Sequence, residues 1–170
     1  MGYTHYWKLP NAEIEVDKWN SFVKDFNEIL PNFVGLLDTT GDQKLKIDSE
    51  TIFLNGIGEE QHETFSINRV GTSDFEFCKT ARKPYDIAVC SALIIAKRHF
   101  GDAIEVSSDG DNADYEWLEA KALCLKKLGY GSLDMGDVYK TPEGDYKVRH
   151  PETQGQLLDL SIVEELELKE

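Results

Sequence analysis

Three cations fall within five positions of the stretch FCKTARKPYD (77–86): Lys79, Arg82 and Lys83. The chain around them is strongly acidic, with a formal net charge of -14. Pro84 suits the first position of a helix, where a missing N–H costs nothing, and Asp86 suits the first turn. The cations do not: beside the positive end of a helix dipole each is disfavoured by about 0.3–1 kcal/mol. An anion bound there would reverse that sign. Free backbone N–H groups, three cations and the Thr80 hydroxyl make a donor set that a phosphate would take. The competing reading pairs these cations with some of the 32 acidic side chains. The glycines of a phosphate loop or of a dinucleotide fingerprint are missing.

A second concentration of chemistry lies at the start of the chain, MGYTHYW. In a strand, Tyr3, His5 and Trp7 share one face, and Thr4, Tyr6 and Lys8 the other. Two rings with a histidine between them could stack a base and hydrogen-bond it. The alternative is that Tyr3 and Trp7 are core and His5 a satisfied polar residue. Asn55 in the loop NGIGEEQ, Phe65, Tyr85, and the pair Ser108 and Asp109 at the end of a later strand complete the candidate ligand-binding set.

Other patterns carry less. His62 and Glu63 are adjacent, so in a strand they face opposite ways and do not readily share an ion, and HExxH is absent. SSDGDNAD lacks the spacing, sixth-position glycine and terminal Glu of a calcium loop. No GxSxG is present and no Ser–His–Asp set stands out. Cys78, beside Lys79 and Arg82, is in a setting that would lower a thiol pKa. No catalytic residue, metal or cofactor is assigned.

The elements that must position these residues follow from periodicity. Tyr3–Leu9 reads as a strand. Trp19, Phe22, Val23, Phe26, Ile29 and Leu30 form one helical stripe, with Asp17 as its N-cap. Lys44–Asp48, Thr51–Leu54, His62–Val70 and Phe75–Cys78 read as strands. Tyr85–Phe100 is a helix apolar on nearly every side, expected at the centre of the domain, and Gly101 stops it. Ala103–Ser107 is a strand, Ala113–Leu128 a third helix, and Asp137–Val148 a hairpin. The fold class is therefore α+β: a mainly antiparallel sheet packed around a central apolar helix with flanking helices. One domain is expected over residues 1–155, and an acidic amphipathic segment over 156–170.

Composition bounds the function. At 170 residues the chain is long enough for one substantial core. No apolar run approaches the ~20 residues of a membrane span, and no secretory signal is visible. The three cysteines are widely spaced, without CxxC, and fit a reducing cytoplasm. The negative charge argues against binding nucleic acid directly through wide backbone contact, and against anionic membranes. It permits a basic protein partner.

MGYTHYW, FLNGIGEEQHETF, FCKTARKPYD and SSDG together resemble an uncharacterised family of small proteins encoded by bacteriophages and mobile elements. The likeness spans residues 1–128. It implies a viral context and the host cytoplasm, and by analogy with viral proteins that sequester nucleotide signals it implies a sponge in counter-defence. The first expectation is thus a binding protein that holds a nucleotide-like anion, with no chemistry required. The second is an acidic protein that blocks a basic host protein, and the third an enzyme on phosphorylated nucleotides using His5, His62 or Glu63. The apolar residues of 156–170 are expected to pack on the domain or to form a homo-oligomer.

Overall fold

The computed structural model describes residues 3–109 and 115–130, with the backbone alone at 115, 116 and 118 and in the strands of 137–140 and 146–149. The turn at 110–114, the tip of the expected hairpin and everything after 149 lie outside the described residues. So do the boundary at 155 and the proposed tail contacts.

The architecture is α+β. Strand β1 (Thr4–Lys8) is followed by helix α1 (Val16–Ile29), a 3-10 turn over Leu30–Phe33, and strands β2 (Lys46–Ile47), β3 (Thr51–Leu54), β4 (Phe65–Asn68) and β5 (Glu76–Lys79). Helix α2 (Asp86–Phe100), strand β6 (Glu105–Ser108), helix α3 (Tyr115–Leu128) and strands β7 (Asp137–Lys140) and β8 (Tyr146–Arg149) complete it. Among the described residues the strands form two three-stranded sheets, β5-β1-β6 and β2-β3-β4, and a two-stranded ribbon, all antiparallel.

The uniformly apolar helix takes the central place expected of it. Twelve of the residues of α2 are buried, and the three that are not, Lys97, Arg98 and His99, crowd its C-terminal end. Lys97 Nζ there donates to the carbonyls of Gly101 and Ile104 at 3.2 and 3.1 Å, so a cation meets the negative end of the dipole. Gly101 ends the helix at φ +55°. Helix α1 lays Trp19, Phe22, Phe26 and Ile29 into the same core, where Trp19 and Phe22 meet Phe100. Its N-cap position is Glu15, not Asp17, which lies in the first turn.

One strand boundary moves for a local reason. Strand β4 starts at Phe65 rather than His62 because Asn55 takes over the preceding residues. Its Oδ1 accepts from the N–H groups of Gly56 and His62 at 2.7 and 3.1 Å, and its Nδ2 donates to His62 O and Thr64 Oγ1 at 2.9 and 3.2 Å. Gly56 is needed at this point, since a Cβ would sit 2.3 Å from Glu60 O and 3.1 Å from the Tyr85 ring.

The connectivity of the first sheet positions the site. Strands β5 and β6 both run antiparallel to β1, so they run parallel to each other with β1 inserted between them. Helix α2 follows β5 and helix α3 follows β6. Both helices therefore begin at the sheet end where β1 also begins.

Candidate functional site at the end of the first sheet

Residues far apart in the chain meet at that sheet end: Tyr3 and His5 from β1, Thr80 and Arg82 from the turn after β5, Asp86 from the first turn of α2, and Ser108 and Asp109 from the end of β6. Alternation turns Tyr3, His5 and Trp7 inward and leaves Tyr6 and Lys8 on the other face.

The inward face carries a buried polar cluster. His5 has no exposed surface, and Asp86 is buried beside it. His5 Nε2 lies 2.7 Å from Asp86 Oδ1, and His5 Nδ1 lies 2.7 Å from Ser108 Oγ. The buried Thr80 hydroxyl donates to the same Asp86 oxygen. The Cys90 thiol, one helical turn after Asp86, donates to Asp86 Oδ2 at 3.4 Å. Trp117 Nε1 of α3 donates to Ser108 Oγ at 3.2 Å. The His5 ring is held edge-on between Tyr3 and Trp117, both with centroids 5.0 Å away.

Hydrogen-bond chemistry then fixes the protons. Against a carboxylate, which only accepts, Nε2 carries the proton. A neutral ring has Nδ1 bare, so the Ser108 hydroxyl donates to it while accepting from Trp117, whose indole is a donor only. The result is a directed chain from Ser108 through His5 to Asp86. The ligand atoms of His5, Asp86 and Cys90 all lie within 4.8 Å of one another, a grouping that can hold a metal ion. However, the 2.7 Å from His5 to Asp86 is a hydrogen-bond distance, about half an ångström shorter than two ligands on one tetrahedral zinc stand apart.

Above the cluster is the basic turn. Ala81 and Arg82 both adopt left-handed backbone, at φ +53° and +58°, which costs a non-glycine residue about 1–2 kcal/mol. The turn is tied by Thr80 N and Ala81 N, which donate to Tyr3 O at 3.0 and 3.2 Å, and by Lys83 N, which donates to Thr80 O at 3.0 Å. Asp86 N donates to Lys83 O at 2.9 Å. These four N–H groups are thus used within the turn, and the expected cradle of free backbone donors is not how it is built. The exposed Arg82 guanidinium lies over the Tyr3 ring, 3.9 Å from its centroid.

The other candidates fall in three groups. Lys79 and Lys83 are half-buried beside the turn, where Lys83 Nζ reaches Glu59 O at 3.5 Å. The backbone of Lys79 is covered by Glu63 and His62: its N–H donates to Glu63 Oε2 at 2.7 Å, and its carbonyl accepts from His62 Nδ1 at 2.7 Å. Asp109 lies on the outward side, where Oδ1 accepts from Tyr6 OH at 3.1 Å and Oδ2 from Thr4 N at 3.2 Å. Trp7, Phe65 and Tyr85 are buried in the core. Trp7 packs on Phe65 at 4.9 Å, and Tyr85 donates to Glu63 O at 2.6 Å. Asn55 is the loop organiser described above. These four residues belong to the scaffold.

Cys78 corrects another expectation. It is fully buried, and desolvation pushes its thiol up to about 12 rather than down. It donates to Glu63 O at 3.3 Å, so it is an inert core thiol rather than a nucleophile.

Asp86, Cys90 and Trp117 were not among the sequence candidates. The one available signal was Asp86 and Cys90 at i, i+4, which places them on one face of a helix. An apolar cleft of about 350 Å³ also opens elsewhere, between the end of α1 and the loop before β2, lined by Leu30, Phe33, Val34, Leu37 and Leu45 among others. No family model, curated protein or solved structure matches the chain. No helix among the described residues is long and apolar enough to cross a membrane.

Proposed function

We propose that the protein binds a small, nucleotide-like anion at the end of the first sheet, where β5 and β6 finish and α2 and α3 begin. The observation that carries this reading is Arg82. It is an exposed guanidinium, set in left-handed backbone, lying over the Tyr3 ring beside a polar cluster drawn from four elements. Strained backbone persists where surrounding structure over-determines it, and such positions cluster at functional sites. A guanidinium already stacked on a ring is preorganised to meet a phosphate with paired N–H donors.

Lys79 and Lys83 supply further positive field in an acidic chain. The family resemblance makes a signalling nucleotide of the host the first ligand class to try. The test is a thermal-shift panel of mono-, di- and cyclic nucleotides, followed by heat release and identification of what was retained. A ligand at a hundred times its Kd should add about 2.7 kcal/mol of stability. Neither stabilisation nor retention of any member would reject the reading.

A further inference from the structure

We infer that Ser108 is a nucleophile, activated by His5 and oriented through Asp86, and that the site cleaves a phosphoester rather than only holding it. The substrate class rests on the binding reading above; the nucleophile rests on geometry alone. Ser108 is half-buried at the rim of the sheet end, while its partners are enclosed. The two links of the chain are both 2.7 Å, within the reach that marks a hydroxyl, its base and the group that orients the base.

The surroundings keep this arrangement in one state. Trp117 Nε1 is a donor only and takes one lone pair of Ser108 Oγ, and a neutral imidazole with its proton on Nε2 takes the Ser108 hydroxyl hydrogen on Nδ1. Tyr3 and Trp117 hold the imidazole edge-on from both sides. Thr80 and Cys90 add donors to Asp86, so this carboxylate is fixed against the Nε2 side of the ring. A cluster serving packing alone has no need of a half-exposed hydroxyl at one end and three donors on the carboxylate at the other. A cation stands near the relay as well: the Arg82 guanidinium lies over the Tyr3 ring, which neighbours His5.

The step balances without a further reactant than water. Ser108 Oγ bonds to phosphorus as the bond to the leaving alkoxide breaks. The Ser108 proton passes to His5 Nδ1, and the leaving oxygen, in line on the far side of phosphorus, takes its proton from water. Water then attacks the serine phosphoester from that same side and releases its proton to solvent, while His5 returns its proton to Ser108 Oγ as the Ser108–phosphorus bond breaks. Arg82 offsets negative charge on the phosphoryl oxygens, and Asp86 acts as a positioning residue.

The experiment uses the full chain with two probes. Diisopropyl fluorophosphate tests the nucleophile without any natural substrate, and bis(4-nitrophenyl) phosphate tests turnover. The expected result is one adduct per chain, mapped to Ser108, absent in Ser108→Ala, and about 100-fold slower in His5→Gln. Nitrophenolate release should follow the same order. In Asp86→Asn the pH profile of labelling should shift, which a purely structural role would not produce. If the buried variants do not fold, Ser108→Ala decides alone. No adduct at Ser108 in the native chain overturns the inference. Where nucleotides are still retained intact, the binding reading stands without it; where they are not, both fall.

Discussion

Asp86 shows how one side chain can settle an electrostatic conflict. A helix N-terminus beside three cations calls for negative charge, and Asp86 supplies it from inside the first turn, with His5, Thr80 and Cys90 as its partners. Thr80→Val keeps the shape and removes one donor to that carboxylate. It should cost about 1.5–3 kcal/mol, the range for hydrogen bonds to charged groups, measured by urea denaturation. Arg82→Ala has the opposite profile. Its exposed guanidinium lies 3.9 Å from a ring centroid, and loss of that contact should cost about 1 kcal/mol while nucleotide binding is lost. Equal nucleotide affinity in Arg82→Ala would take the site away from the turn.

At the scale of elements, the turn from β5 into α2 is strained by design of its hydrogen bonds. Because Tyr3 O accepts from both Thr80 N and Ala81 N, Ala81 is held at φ +53°. Ala81→Gly should therefore stabilise the fold by about 0.5–1 kcal/mol, where glycine in regular structure would destabilise it by a similar amount. Gly56→Ala should do the reverse. Its methyl group meets backbone at 2.3 Å and the Tyr85 ring beyond it, and overpacking of this kind costs about 1–3 kcal/mol.

These elements also show what the sequence could and could not convey. Helix α2 was legible because an apolar run on all sides has only one place to go. Strand β1 was legible from its aromatic alternation, and the basic turn from its conflict with the dipole. The bond between His5 and Asp86 was not legible, because it joins residues 81 positions apart and depends on β1 entering the sheet between β5 and β6. The late start of β4 was hidden for a different reason: a single amide, Asn55, replaces a strand's worth of pairing, and no periodicity marks such a residue. Cys78 misled because its sequence neighbours are cations, whereas in the fold it is buried in the core with its thiol on the Glu63 carbonyl.

For the whole molecule, buried and half-buried acids of raised pKa set the response to alkali. Desolvation raises Cys78 and Cys124 from 9.0 to about 12, and Tyr85 and Tyr130 are raised for the same first reason. The folded state thus keeps protons that the unfolded chain gives up. Stability from the two thiols is fully present below about pH 9 and is lost progressively as pH rises towards 12, at up to about 1.4 kcal/mol per pH unit for each. The melting temperature should fall from about pH 9, and a flat profile to pH 11 would contradict these buried thiols. Charge acts on binding as well. A site that rests on Arg82, Lys79 and Lys83 in a chain of net charge -14 should lose affinity as salt shortens the screening length from about 10 Å at 0.1 M.

The most direct test of a ligand site at the end of the first sheet is a map of amide shift changes in a ¹H–¹⁵N spectrum, recorded as the best nucleotide of the panel is added. The expected map has its largest changes at 3–5, 80–83 and 108–109, three stretches brought together only by the order β5-β1-β6. Changes centred on the apolar cleft at Leu30, Phe33, Val34, Leu37 and Leu45, with those three stretches unmoved, would contradict it.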